Sequence, residues 1–262
     1  MNLLKKSFPN YILSFLLITP LFIGSCAPSL THQLVNQEQL LIDSKNTLDS
    51  NMYYTILPYR DSLSKIMDQP IGENSKLLQR FKPESPLSNF VADLLLEAGT
   101  KFIHERSDQQ LSSVAVVNTK GLRAPLPQGV VTVENIYEIM PFENSMVAVQ
   151  LNGAQMQKLF DHIVSEGGDG LAGASFTMSP PAQAKDVLVQ NKKLQNEELY
   201  WVFTSDYLAD GGDNYMIFRE SETIVISPYT IRNLIMNKVK ELHKNNMPVE
   251  ASTEVRIKNE DF

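Results

Sequence analysis

The sequence predicts a single α+β domain behind an export segment. Helical and strand-like patterns alternate irregularly after residue 50 with no internal repeat, which argues against a regular doubly wound sheet. An apolar content of 43% is enough for a sizeable core. The first 25 residues have the order of a cleaved leader rather than of a fold element: Lys5 and Lys6, a mostly apolar run from Tyr11 to Ile23, then Gly24, Ser25 and Cys26. The boundaries read as a leader over 1–25, a tether with a first strand over 26–50, and the domain over 51–262.

Within the tether, Gln39 to Asp43 could form a strand. Leu63, Ile66 and Met67 are spaced for a helix over Leu57–Met67, with Pro58 near its start, where proline is tolerated, and Pro70-Ile71-Gly72 ending it. Ser85 can cap a second helix over Ser85–Glu97, whose stripe is Leu87, Phe90, Val91, Leu94 and Leu95. Ser113–Val117 reads as a short buried strand. Val130–Met140 reads as a strand end and a helical turn running into Pro141. Ser145–Leu151 reads as a strand, Asn152-Gly153 as a turn, and Ala154–Val164 as a helix. The four glycines between Gly167 and Gly173 predict a mobile or tightly turned loop. Phe176–Met178, Val187–Val189 and Tyr200–Thr204 are strand candidates, and Ile231–His243 is the last long helix.

Charge and cysteine usage exclude some functions. Residues 1–25 hold two lysines and no acid, so the remainder carries 21 basic and 30 acidic residues, a formal charge of −9. Such a chain is a poor binder of nucleic acid through its phosphates, although it can still take a small nucleotide where cations are placed locally. Cys26 is the sole cysteine, so no disulfide forms within one chain. The ending Ile23-Gly24-Ser25-Cys26 resembles a bacterial lipoprotein box. That resemblance implies lipidation at Cys26 and an exported protein held to a bacterial membrane, on the periplasmic or outer-membrane face, through the lipid alone. The apolar run is short for a membrane span.

Catalytic signatures are missing. His32, His104, His162 and His243 stand in no H-x-H, H-E-x-x-H or D-x-H spacing, so no catalytic metal centre is expected in this chain. The Asp161-His162 pair falls on an amphipathic helix and reads as a solvated face. No nucleophile elbow or P-loop occurs. Gly168-Asp169-Gly170-Leu171-Ala172-Gly173 spells G-x-G-x-x-G, but it follows a helix and leads toward a strand, the reverse of the dinucleotide context.

Three motifs could bind a ligand. In Asn118-Thr119-Lys120-Gly121-Leu122-Arg123, the arginine at a strand exit either offers its planar fork to a phosphate or is a surface arginine in a turn. In Pro141-Phe142-Glu143-Asn144, the aromatic either stacks on a ring whose edge the amide contacts, or is core. In Ser205–Phe218, Gly211 and Gly212 can fold the chain back so that Asp213 stands opposite Tyr207, a receptor for a nucleoside; the alternative is a hairpin turn without ligand.

PFEN, GGDNY and NTKGLR together resemble the C-terminal domain of 5′-nucleotidases and UDP-sugar hydrolases, whose pattern runs N-G-G-G-I-R, P-F-G-N, F-x3-G-G-D-G-Y. Glu84-Ser85-Pro86-Leu87-Ser88-Asn89-Phe90-Val91-Ala92-Asp93, Leu151-Asn152-Gly153 and Thr253-Glu254-Val255-Arg256-Ile257 are similar to further pieces in the same order. The likeness runs from about residue 53 to residue 258. It implies that Phe142 and Tyr207 sandwich a base, that Asn144 and Asp213 bind base and ribose, that Arg123 binds phosphate with Arg80 as a further candidate, and that Gly173 lies near the base. Thr119 and Lys120 replace glycines, and Lys120 can compensate with its charge. Glu143 replaces the glycine of P-F-G-N and brings negative charge near the phosphate. Asn214 replaces another glycine. Full-length members also carry an N-terminal metallophosphatase domain with two metal ions. The resemblance therefore implies the substrate-recognising half, with no cofactor of its own and divalent metals expected in a separate metallophosphatase chain. A stand-alone nucleoside- or nucleotide-binding lipoprotein for uptake, and a structural remnant without ligand, stay open beside it.

Overall fold

Strand Ser113–Val117 (β2) is buried at every residue. The computed structural model describes residues 47–107 and 110–259; Cys26 and the Gln39–Asp43 strand expected in the tether lie outside them. The described chain begins with helix α1 (Ser50–Met67), strand β1 (Pro70–Asn74) and helix α2 (Pro86–His104). After β2 come β3 (Gly129–Thr132), α3 (Val133–Ile139), β4 (Ser145–Asn152) and α4 (Gly153–Ser165). Then follow β5 (Gly170–Ala172), β6 (Ala174–Ser179), β7 (Gln183–Val189), β8 (Lys192–Lys193), β9 (Leu199–Ser205) and α5 (Asp206–Ala209). Strand β10 (Ile224–Thr230), helix α6 (Ile231–Lys244) and strand β11 (Ile257–Asn259) close it.

The central sheet has the order β10-β4-β9-β2-β5, with β2 and β9 parallel and the other pairs antiparallel. Side chains alternate between its two faces. Ala115, Val117, Met146, Ala148, Trp201 and Phe203 join one core with α2, α3 and α6. Val114, Val116, Val147, Val149, Leu151 and Val202 join a second with α4 and a four-stranded sheet, β11-β6-β7-β8. The sheet is thus buried on both sides, which is why β2 and β9 read as continuous apolar runs. A two-stranded ribbon, β1-β3, lies beside α6.

Local chemistry sets the element ends. Ser85 caps α2 by accepting from Ser88 N–H, Ser88 returns the bond, and Pro86 sits in the first turn. Helix α2 extends past Glu97 to His104 because its apolar stripe continues through Phe102 and Ile103. Two expectations are corrected. Asn152-Gly153 is no turn: the Asn152 amide caps α4 by accepting from Gln155 N–H at 2.9 Å. The glycine-rich stretch is not wholly loop, since Gly170–Ala172 is edge strand β5. A Cβ at Gly170 would meet Ser88 O at 2.7 Å, so glycine there lets the strand approach α2. Helix α1 begins at Ser50 rather than Leu57, so Pro58 lies inside it, and β1, β8, α5, edge strand β10 and β11 are absent from the sequence reading.

Candidate functional site

The C-terminal ends of β2 and β9 and the start of β4 come out on one edge of the central sheet, as the pairing of Met146 with Ser205 and of Ser113 with Trp201 requires. Loops leaving that edge enclose a cleft of about 420 Å³. Phe142, Asn144, Tyr207, Asp213, Arg123 and Lys120 all line it, over a floor that includes Val116 and Val117. Gly173 does not: it lies between β5 and β6, and a Cβ there would meet Ser113 O at 2.5 Å, toward the far end of β2. Arg80 stays outside as well, its Nη1 3.5 Å from Thr119 O.

The three motifs form one interlocked wall. Gly211 has φ +84°, and Asp213 and Asn214 take positive φ of 49° and 62°, angles that glycine, asparagine and aspartate accept most readily. This tight turn, not a hairpin, brings Asp213 back to Tyr207. Tyr207 Oη donates to Asp213 Oδ1 at 2.9 Å and accepts from Asp213 N–H at 3.3 Å. A Cβ on Gly212 would meet the Tyr207 ring at 2.5 Å, so the absence of a side chain there is what makes room for the ring. The phenol's bond to Asp213 raises its pKa above the usual tyrosine value. On the other side Asn118 Nδ2 donates to Asp213 Oδ2 at 2.7 Å, tying the β2 exit to the GGD turn. Asn118 lies over Gly121, where a Cβ would come within 2.7 Å of its Oδ1.

Beneath the wall lies a buried polar set. Asp169 accepts from Thr119 N–H at 2.8 Å and from Tyr215 Oη at 2.6 Å, with Lys82 Nζ at 3.9 Å. Burial pushes the Asp169 carboxyl up, and it pushes the Tyr215 phenol well above its ordinary value. His162 corrects the reading of a solvated face: its ring packs edge-on against Tyr215 at 4.4 Å, and Nε2 lies 3.2 Å from Asp213 O. Asp161 is also engaged, accepting from Ala184 N–H at 2.8 Å.

The cations at the cleft mouth differ. Lys120 Nζ is 2.8 Å from Glu166 Oε2, and that hydrogen bond raises the lysine pKa and lowers the glutamate's. Arg123 is exposed and anchored by its backbone N–H to Ile139 O at 2.8 Å. Glu143 is turned to Arg232 Nη2 at 2.6 Å. Asn118, Asp169, Tyr215, Asp206 and Arg232 are the supporting residues the sequence reading missed. Asn118 and Tyr215 stand inside the quoted motifs, Asp206 directly precedes Tyr207 and Asp169 is set between two glycines; Arg232 had no local signal.

Among the described residues no group of three or more His, Cys, Asp or Glu side chains is placed to hold a metal ion. Residues 64–220 match the family model described as the 5′-nucleotidase, C-terminal domain. The chain belongs to that family. As a 5′-nucleotidase C-terminal domain it is 23% identical over 220 residues to the trifunctional nucleotide phosphoesterase protein YfkN of Bacillus subtilis, covering 76% of this chain and 14% of that one. It is 22% identical to the 5′-nucleotidase of Bos taurus, covering 70% of this chain and 36% of the other. Among solved structures, the 5′-nucleotidase precursor from Thermus thermophilus superposes with a TM-score of 0.67 at 27% identity, over 79% of this chain and 42% of that one. The chain therefore spans less than half the length of these relatives, over their C-terminal part. No helix among the described residues is long and apolar enough to cross a membrane.

Proposed function

We propose that this chain is the nucleoside- or nucleotide-recognising unit of a 5′-nucleotidase-type phosphohydrolase, working with a separate metallophosphatase chain that supplies the divalent metals. One observation carries the reading: two half-exposed rings, Phe142 at 47% and Tyr207 at 48%, line one cleft with a carboxylate, Asp213, whose two oxygens are both oriented by neighbours. A base stacked on an aromatic gains about 1–3 kcal/mol. Each Asp213 oxygen keeps a free lone pair for a ribose hydroxyl or a base amine. Asn144 offers an amide to the base edge, and Arg123 offers a fork to phosphate.

A second reading, a receptor for an uncharged nucleoside, is favoured by the pairing of Lys120 with Glu166, which gives the lysine's charge a carboxylate partner at the cleft mouth. Calorimetry of the full chain in detergent micelles against adenosine and AMP decides between them. Both should bind, and Phe142→Ala should weaken both by roughly tenfold or more, the loss of one stacking contact. AMP binding tighter than adenosine gives the phosphate a contact at Arg123 or Lys120 and favours the hydrolase unit. Equal binding favours the nucleoside receptor. Binding that is indifferent to Phe142→Ala refutes both.

A further inference from the structure

The loop that carries Phe142 is held by groups outside it. Arg232, in the first turn of α6, is only 6% exposed although its charge is permanent. Its Nη1 donates to Pro141 O at 3.1 Å and lies 3.5 Å from Met140 O, while Nη2 meets Glu143 Oε1 at 2.6 Å. The guanidinium carbon lies 4.3 Å from the ring centre of Tyr137, which comes from α3 just upstream. Ile231 N–H donates to Asn144 O at 2.9 Å, and Ser145 N–H to Asp206 Oδ2 at 3.0 Å. Asp206 directly precedes Tyr207, so the segment bearing one ring is fastened to the segment bearing the other.

A buried guanidinium is costly unless its donors are used, and here they are spent on the carbonyls and the carboxylate of a single loop. Nε has no hydrogen-bond partner among the described residues, so the guanidinium's hydrogen bonds all go to that loop, beside its contact with the Tyr137 ring. Glu143 supplies the acceptor that a glycine, as in P-F-G-N, could not. We propose that Arg232 is a positioning residue for the cleft: with Glu143 as its latch, it holds Phe142 in place before ligand arrives. This inference rests on the nucleoside-recognition reading above. A ring already ordered loses less freedom on binding, and affinity rises accordingly.

The test uses the full chain in detergent micelles, with adenosine as ligand and amide hydrogen exchange as a second readout. Arg232→Met should weaken adenosine binding roughly tenfold, the cost of ordering one loop and its side chain. It should also speed exchange across residues 140–145 while β2 and β9 keep their protection. Glu143→Gln should weaken binding a few-fold, and the double variant should bind no worse than Arg232→Met alone, because the two act as one unit. Arg232→Lys should recover part of the affinity, since an ammonium reaches one acceptor but cannot fork. Unchanged affinity in Arg232→Met, or loosening spread evenly over the domain, overturns the proposal. If the unaltered chain binds neither adenosine nor AMP, the nucleoside reading falls and the ligand role of Arg232 falls with it. The exchange rates at 140–145 then still decide whether Arg232 holds the loop.

Discussion

At the scale of single residues the site is a set of carboxylates given different work by their surroundings. Asp213 is half-buried and faces the cleft, while Asp169 is buried beneath it. Burial is the largest influence on Asp169 and raises its pKa; the bonds from Tyr215 and Thr119 and the charge of Lys82 oppose this without reversing it. An acid with a folded pKa above its unfolded value binds a proton more tightly when folded. Its contribution to stability is full below the unfolded pKa and is lost as pH rises through the folded one. Asp169→Asn removes the titration, so the unaltered chain should gain stability relative to the variant as pH falls from 7 toward the ordinary carboxylate range of about 4. Urea unfolding of both proteins at pH 7 and pH 5 measures this. A stability difference that stays constant would mean that the buried carboxyl keeps an ordinary pKa, and one that moves the other way that its pKa is lowered; either result overturns the expectation. Such pairings explain why the site was only partly legible in the sequence. Phe142, Tyr207 and Asp213 sit in short motifs whose spacing announces them. Arg232 is far along the chain from the loop it holds, and a lone arginine on an amphipathic helix carries no local mark. Gly173 looked like a ligand glycine, but strand packing accounts for it.

At the scale of elements, the helix and strand periods were legible wherever one face is buried. β2 coincides with its expected span, and α2, α4 and α6 differ only at their ends. The misses have physical causes. β1 begins at Pro70 and β10 contains Pro228, and both sit at sheet edges, where proline is tolerated and sequence pattern is weak. β5 was hidden by the glycines in and around it; Gly170, the one inside the strand, is there because α2 passes close. The same closeness makes a prediction at Gly99, where α2 crosses β9. A Cβ at that position would lie 2.2 Å from Phe203 Cγ. Replacing a helical glycine by alanine gains about 1 kcal/mol of propensity, but overpacking a core costs about 1–3 kcal/mol. A contact this short puts the cost at the upper end, so Gly99→Ala should destabilise the domain by about 1–2 kcal/mol net, measured as a lower urea midpoint with an unchanged slope. A midpoint at or above that of the unaltered chain would mean Phe203 can swing aside.

At the scale of the whole molecule, the family likeness and the fold agree on a body built around the central sheet, and α1 meets its core through Met67 at its C-terminal end. None of its residues is buried. Met52, Ile56, Tyr59, Leu63 and Ile66 are spaced four, three, four and three apart, the repeat of a helix-packing seam, and all are more than half exposed. Helical stability in proteins comes chiefly from burying such a face, and α1 carries Pro58 in its interior, which costs it a backbone hydrogen bond. Two outcomes are therefore distinguishable by a charge placed in the middle of the stripe. With the seam bare, Leu63→Asp should change the unfolding free energy by less than about 1 kcal/mol, the range of surface substitutions plus the lower helix propensity of aspartate. The amides of residues 54–63 should then exchange fast, against strong protection in β2 and β9. A loss of about 3 kcal/mol or more, of the size seen when an apolar contact is replaced by a buried unpaired charge, would instead mean that the seam is packed in the intact chain. In that case the helix belongs to the core of a larger assembly than the described residues make, and its apolar spacing would be explained as packing rather than as surface.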